Sequence, residues 1–433
     1  MDGPKEGNPI LVPGDRSGEP SNRVYVRVDS VEQLAPESDD FILRFDGVDA
    51  DRFDETRLDG PITEGIRDLP LAILELFSVD QDSSFRKSGL LGEMTPGSWL
   101  EIRLQNQAAD AFPIDYYTNL FGDPVTRYAS SIQRVDMARA RKLSTAFSLE
   151  DVDDGFEQTI AEILQRADRS AFINVLDVGQ GNANALWLQG GGASLYFDFG
   201  GGVLGNAKTF PKQFATACFS NQAPVLLSHW DWDHWSSGAR FPQALDSEWI
   251  APRQELGPVH RAFAWLLHSK AHLHLWPKSL PSLSTPHLVV EHCTGTDRNN
   301  SGLSMAVQRE LPGGGTEMVL LPSDADYASI PLCSGMSFGA VVASHHGGLV
   351  SASHIAKPIG SNRQMVYSVG HGNSYGHPKL HALLDYLTAG WSPNHTYSTA
   401  QHTRRRPCNV AIMLKGSTPR TGCPACRPKI FAY

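Results

Sequence analysis

With 433 residues, 41% of them hydrophobic and 19% charged, the chain has the composition of an ordinary globular protein and the length for two domains. That excludes a disordered or fibrous protein, and six cysteines, of which only Cys423 and Cys426 stand in a C-x-x-C spacing, exclude a disulfide framework. The net charge of −10 is unevenly placed: residues 1–170 carry 18 Lys and Arg against 33 Asp and Glu, whereas residues 171–433 carry 19 against 14.

In chain order, residues 1–20 are rich in Gly, Pro and charge and read as a mobile tail, without the basic start and apolar stretch of a secretion signal. Nowhere do about 18 apolar residues follow one another, so no membrane partner is expected and the expected location is cytoplasmic. Strands are predicted at Val24–Val28, Phe41–Phe45 and Trp99–Leu104, separated by acidic connectors. Phe156–Ala167 reads as an amphipathic helix with Ile160, Ile163 and Leu164 on one face, and a domain boundary is expected just after it, near Arg169. Residues 21–170 are thus expected to form an acidic, β-containing N-terminal domain, with a catalytic domain over 171–415 and a basic segment over 416–433.

From Phe172 onward the texture changes. The runs FINVLDVG, SLYFDFGG, PVLLSH, EMVLLPSD, AVVASHHGG and QMVYSVG are near-continuous apolar strands ending in Gly or polar clusters. Such strands are buried on both faces, so helices must cover the sheets. The candidates are Pro211–Phe219, Val259–His268 and Lys379–Leu387.

The chemistry concentrates in SHWDWDH, directly after the strand Val225–Leu227. His229, Asp231, Asp233 and His234 put four nitrogen and oxygen donors into one short loop, enough to feed two cations. Imidazole suits zinc, and the carboxylate share suits a harder ion such as manganese. Other strand ends supply further candidate ligands: Asp324, a carboxylate placed to bridge two ions, the adjacent pair His345 and His346, and His377. Of the adjacent histidines one is expected to bind metal and the other a neighbour or the substrate, and spacing does not assign them.

The run LDVGQG (176–181), the SHxDxDH segment, Asn300-Ser301, the Asp324 strand end, HHGG (345–348) and SVGHGNSYGHP (368–378) follow one another in the order found in the metallo-β-lactamase domain of ComEC-type competence proteins, which residues 172–415 resemble. The resemblance implies an α/β fold of αββα sandwich type, with two metal ions at one edge between the sheets, beside a separate N-terminal domain. It also implies metal-dependent hydrolysis of a phosphodiester, chiefly of nucleic acid. The sequence differs from that family in Asn182, Ser323 and Gly348, and it has no counterpart of the membrane channel.

Mechanism follows from the ligand set, since two cations about 3.5–4 Å apart activate water and neutralise charge on the phosphoryl oxygens together. Asp233 and His346 are the candidate catalytic groups beside them. Asn373, Ser374 and Tyr375 either contact the non-bridging oxygens or form a tight turn. Trp230, Trp232 and Trp235 fit core packing better than base stacking, and Gly200–Val203 fits a turn as well as a phosphate cradle. Arg404, Arg405 and Arg406 form the densest basic cluster and are candidates to steer a nucleic-acid backbone. His402, Cys408, Cys423 and Cys426 are spaced as a candidate structural zinc site.

The resulting expectation is a nuclease or related phosphodiesterase. A small-molecule phosphoesterase or lactonase is the second reading. The third is a partner-regulated effector, in which the acidic residues 21–170 bind a protein or dock on the basic half as an autoinhibitory contact.

Overall fold

The computed structural model describes residues 22–34, 40–56, 60–78, 94–108, 111–311, 313–396 and 409–414. The expected tail over residues 1–20 lies outside them. The chain is mixed α/β and folds as two compact units, one built from residues 1–152 and 255–269, the other from 153–254 and 270–433. No helix among the described residues is long and apolar enough to cross a membrane.

The first unit is a closed six-stranded barrel in the order β1-β2-β3-β5-β6-β4. Its strands are β1 (Arg23–Gln33), β2 (Phe41–Asp49), β3 (Leu71–Ser78), β4 (Trp99–Gln105), β5 (Phe112–Tyr117) and β6 (Val125–Arg134). Alternation decides which side chains fill it: Val24, Val26 and Val28 of β1 and Phe41, Leu43 and Phe45 of β2 point inward to one core. The outward Asp46 serves a different purpose. It accepts from the backbone N–H groups of Val259 (2.8 Å) and His260 (3.4 Å), capping the helix Pro258–Ser269, whose His260 Nε2 lies 2.9 Å from Asp29 Oδ1. This helix was expected to cover the sheets of the catalytic domain. It packs instead on β2 and β3 of the barrel, because a buried carboxylate there satisfies its N-terminal amides.

The second unit holds two sheets. The seven-stranded one runs β12-β11-β10-β9-β8-β7-β21, from β7 (Ser170–Val175), β8 (Ala183–Leu188), β9 (Ala193–Phe199), β10 (Val225–Leu226), β11 (Trp249–Pro252), β12 (Leu273–Trp276) and β21 (Val410–Met413). The eight-stranded one runs β13-β14-β15-β16-β17-β19-β20 with β18 beside β17, from β13 (Ser282–Ser284), β14 (Leu288–His292), β15 (Leu303–Glu310), β16 (Thr316–Leu321), β17 (Ser337–Val342), β18 (Lys357–Pro358), β19 (Gln364–Tyr367) and β20 (Ser392–His395). One core joins Ile173, Leu195, Phe197 and Ile250 of the first to Val290, Met305, Val319 and Val342 of the second. The opposite face of the larger sheet packs Phe338, Val341 and Met365 against Ala382 and Tyr386 of the helix Leu380–Thr388.

Two sequence expectations shift here. The helix Glu157–Gln165 belongs to the second unit, because Ile160, Ile163 and Leu164 sit in the core shared by the sheets, so the division falls at Val152 rather than near Arg169. Pro211–Phe219 is not a helix. Phe210, Phe214, Phe219 and Phe241 pack on one another and on Tyr196 and Phe199, and the Tyr196 hydroxyl both accepts from Cys218 N–H (3.1 Å) and donates to its carbonyl (3.0 Å), holding the segment irregular.

Candidate metal centre

The strands β10, β16, β17 and β19 each run parallel to a neighbour, and the candidate ligands follow their carboxyl ends. His229 follows β10 by three residues, and Asp233 and His234 lie in the one-turn helix Trp232–Trp235 behind it. This loop is pressed against two glycine turns. Gly201 N–H and Asn182 N–H both donate to Asp233 O at 3.0 Å, and a Cβ on Gly200 would meet that oxygen at 1.7 Å. The run at 200–202 is therefore glycine to let the ligand loop approach, and neither a phosphate cradle nor a mere turn is needed to explain it. Trp230, Trp232 and Trp235 are buried, with Trp230 Nε1 donating to Pro252 O (2.9 Å), so they pack under the loop rather than stack on a base.

Asp324 stands at the centre, ionised and 6% exposed. Its Oδ1 lies 3.2 Å from His234 Nε2 and 3.5 Å from His346 Nε2, while its Oδ2 lies 3.9 Å from His229 Nε2 and 3.8 Å from His345 Nε2. One carboxylate thus faces two sets of donors, as a bridging ligand must. On the first side Asp231 Oδ2 is 3.3 Å from His229 Nε2; on the second, Asp233 Oδ2 is 3.4 Å from His346 Nε2. The adjacent histidines are split by the backbone. Both take left-handed conformations (φ +49° and +55°), a departure that costs roughly 1–2 kcal/mol each, and the result turns His346 inward and leaves the His345 side chain 29% exposed.

Each inward ring is oriented by its other nitrogen. His234 Nδ1 donates to Asp198 Oδ2 (3.0 Å), His346 Nδ1 donates to Ser368 O (2.9 Å), and His229 Nδ1 lies 2.9 Å from Ser228 Oγ. The Nε2 atoms of all three and Asp324 Oδ1 are buried and make no hydrogen bond among the described residues. Buried polar atoms left this way are rare unless something else satisfies them. A donor set of imidazole nitrogen and carboxylate oxygen, with lone pairs turned inward, fits a divalent cation, and the groups His229–His234–Asp324 and Asp233–His234–His346 each bring their donor atoms within 4.8 Å of one another.

The electrostatics agree. Burial opposes ionisation of Asp324 and Asp233, yet the surrounding histidines hold both carboxyls below their ordinary range, the first through His234 and the second through His346. Burial likewise opposes charge on His234 and His346, but Asp324 with Asp198, and Asp324 with Asp233, raise them above the usual imidazole value. Asp231 is also held low against its burial, first by Arg298, whose Nε lies 2.8 Å from Oδ1.

The remaining candidates are placed as follows. His377, expected as a metal ligand, is in neither donor group: its Nδ1 is 3.3 Å from Gln180 Nε2 and its ring centre 5.4 Å from that of His345. Asn373 is a turn residue: its Oδ1 accepts from His377 N–H (3.0 Å) and its Nδ2 donates to the carbonyls of Gly370 (2.8 Å) and His377 (2.7 Å), which leaves no amide for a phosphate. The Ser374 N–H donates to Asn206 Oδ1 (2.7 Å), and the Tyr375 ring lies 5.5 Å from His377. His402, Arg404, Arg405, Arg406, Cys408, Cys423 and Cys426 lie outside the described residues.

Sequence reasoning gave no role to Asp198, Arg298, Gln180 or Ser228, and took Ser323 only as a departure from the family it resembles. Ser323 Oγ joins the group, 2.9 Å from Asp198 Oδ2 and 3.2 Å from His234 Nδ1. A signal existed for Asp198, a lone carboxylate in the apolar strand ASLYFDF, whereas Arg298 is 64 positions from His234 in a polar loop. No family model matches the chain, and no curated protein matches its sequence.

Proposed function

We propose that the chain is a two-metal phosphodiesterase of the metallo-β-lactamase type, acting on a polynucleotide, DNA or RNA. The observation that carries this reading is the set of buried, inward-facing donors His229 Nε2, His234 Nε2, His346 Nε2 and Asp324 Oδ1, which make no hydrogen bond among the described residues. The αββα sandwich is supported by two sheets that share one core and by a helix on the far face of the larger sheet.

His229, Asp231 and Asp324 would hold one cation; Asp233, His234, His346 and Asp324 would hold the other. When bound, such a pair, zinc or manganese, supplies Lewis acidity toward phosphoryl oxygens and makes water nucleophilic at neutral pH. The chain's own groups do the rest. Asp233, ionised at the edge of the cage, accepts a hydrogen bond from the attacking water and orients it. Asp198 and Ser368 keep the His234 and His346 rings from turning. His345, the exposed member of its pair, contacts a non-bridging phosphoryl oxygen, the role that Asn373 cannot take.

A polynucleotide is favoured by the excess of basic residues over 171–433 and by Arg404–Arg406. The test is incubation of metal-free protein with linear and circular DNA, RNA and a small phosphodiester, with zinc, manganese or magnesium added singly. Cleavage of a polynucleotide that needs added metal and is lost in Asp324→Ala is expected. Replacing the three arginines with alanine should weaken polynucleotide cleavage and flatten its salt dependence while sparing the small substrate. Metal-independent turnover, or none on any phosphodiester, contradicts the proposal.

A further inference from the structure

The two sides of the cage differ in charge, although both share Asp324. On the second side Asp233 pairs with histidines, His346 Nε2 at 3.4 Å and His234 Nε2 at 4.0 Å, and among the described residues no arginine or lysine pairs with it, so once the histidines give up their protons to a cation no fixed positive charge opposes that cation. On the first side Asp231 is already paired. Arg298 Nε lies 2.8 Å from Asp231 Oδ1, and the two side chains are only 10% and 16% exposed, so little water screens the guanidinium. Its charge does not depend on pH in any useful range.

The guanidinium is also held in place. Arg298 NH1 reaches the Trp230 carbonyl (3.4 Å), and Gln254 clamps the loop that carries it: Gln254 Nε2 donates to Arg298 O (2.7 Å) and Ser301 Oγ (3.0 Å), while Gln254 Oε1 accepts from Trp230 N–H (3.2 Å). One amide thus ties residues 298–301 to the ligand loop. Beside the first side His345 is 29% exposed and Asp231 16%, although His229 is only 1%; on the second, Asp233 is 11%, His346 3% and His234 fully buried.

Resting on the two-metal reading above, we propose that Arg298 is a positioning residue that makes the two cation positions unequal. By occupying Asp231 Oδ1 and cancelling its charge, it leaves the ion on the His229 side loosely held and exchangeable, while the ion on the Asp233–His234–His346 side is held tightly. Two effects oppose each other at this residue. The guanidinium orients Asp231, which helps a cation bind, and it repels that cation. Repulsion wins because the charge lies 2.8 Å from one oxygen of the ligand carboxylate and is poorly screened, whereas that oxygen receives no hydrogen bond from the described residues to fix its direction.

The substitution Arg298→Gln separates them, since the Gln Nε2 occupies the same place along the side chain as Arg Nε and keeps an N–H group beside Oδ1 without the charge. Metal-free protein is titrated with manganese and, separately, zinc, following heat and bound metal. Wild type should take up two ions in steps at least about tenfold apart, and Arg298→Gln should tighten the weaker step by about tenfold or more while moving the tighter step by less than about threefold. Arg298→Lys, which keeps a charge and loses the planar fork, should leave the steps unequal, and it serves if the Gln variant does not fold. Two ions of equal affinity in wild type overturn the proposal and leave the two-metal reading standing. So does an unchanged weak step in Arg298→Gln, or equal steps in Arg298→Lys. Failure of wild type to bind any ion overturns both.

Discussion

Replacing Asp198 with asparagine keeps the shape and removes the charge of the group that aims His234. Asparagine tolerates the left-handed backbone at this position (φ +59°), so the turn itself survives. The hydrogen bonds do not. Asp198 Oδ1 accepts from Ser228 N–H (2.7 Å), and Oδ2 faces His234 Nδ1 (3.0 Å), Ser228 Oγ (2.9 Å), Ser323 Oγ (2.9 Å) and Asn182 Nδ2 (3.3 Å), all of it buried. An asparagine has one acceptor oxygen. If its NH2 faces Ser228 N–H, a backbone amide is orphaned at a cost of about 1–3 kcal/mol. If the NH2 faces His234, Nδ1 must become the acceptor, the proton moves to Nε2, and that nitrogen can no longer bind a cation.

Either arrangement should weaken metal binding by about 10–100-fold, the usual range for the residue behind a metal-binding histidine, or about 1.4–2.8 kcal/mol. The assay is a zinc or manganese titration of metal-free wild type and Asp198→Asn, with thermal melts of each in both states. The variant should melt lower, and added metal should raise its melting temperature less than it raises that of wild type. Asp198→Asn binding metal as tightly as wild type would refute the claim that Asp198 sets the His234 tautomer.

Three further outcomes follow from the same geometry. Asp324→Ala should lower metal content by two ions per chain rather than one, read by elemental analysis, because its oxygens face both donor sets; loss of a single ion contradicts bridging. Gly200→Ala should destabilise the fold by about 3 kcal/mol or more in chemical denaturation, since the added Cβ meets the backbone of Asp233 and nothing flexible can yield; a change below about 1 kcal/mol contradicts the close approach. In metal-free protein the raised His234 and His346 contribute stability that is complete below the unfolded imidazole value near 6.5 and is lost as pH rises through their folded values. Metal must displace those protons, so uptake at neutral pH should release protons and tighten as pH rises, measured in buffers of different ionisation enthalpy; uptake without proton release contradicts the shift.

How much was legible in the sequence depended on how local each feature is. The loop His229–His234 carries four donors in six residues, and short apolar strands ending in Asp324 or His345-His346 mark their own carboxyl ends. Which of the paired histidines turns inward was not legible, because two successive left-handed residues decide it and neither is glycine. Arg298 was invisible because its partner Asp231 is far away in the chain. Asn373 was ambiguous between a turn and a phosphate contact until its amide partners were known.

The barrel was half legible. Its strands β1, β2 and β4 show alternation or β-branched and aromatic content, whereas β3 (LAILELFS) is an apolar run broken only by Glu75 before its terminal Ser78, which periodicity cannot tell from a helix, and β6 breaks its alternation at a register shift opposite Arg103 and Leu104. Pro211–Phe219 has the composition of a helix, yet contacts from distant aromatic residues override that local preference.

The most direct measurement is anomalous diffraction from crystals of the protein loaded with zinc or manganese. Two peaks are expected to flank the Asp324 carboxylate, one within bonding distance of Asp233, His234 and His346 and a second, of lower occupancy at limiting metal, beside His229 and Asp231. Crystals soaked in excess metal that show no peak beside Asp324, or a peak on one side only, would contradict the two-metal proposal.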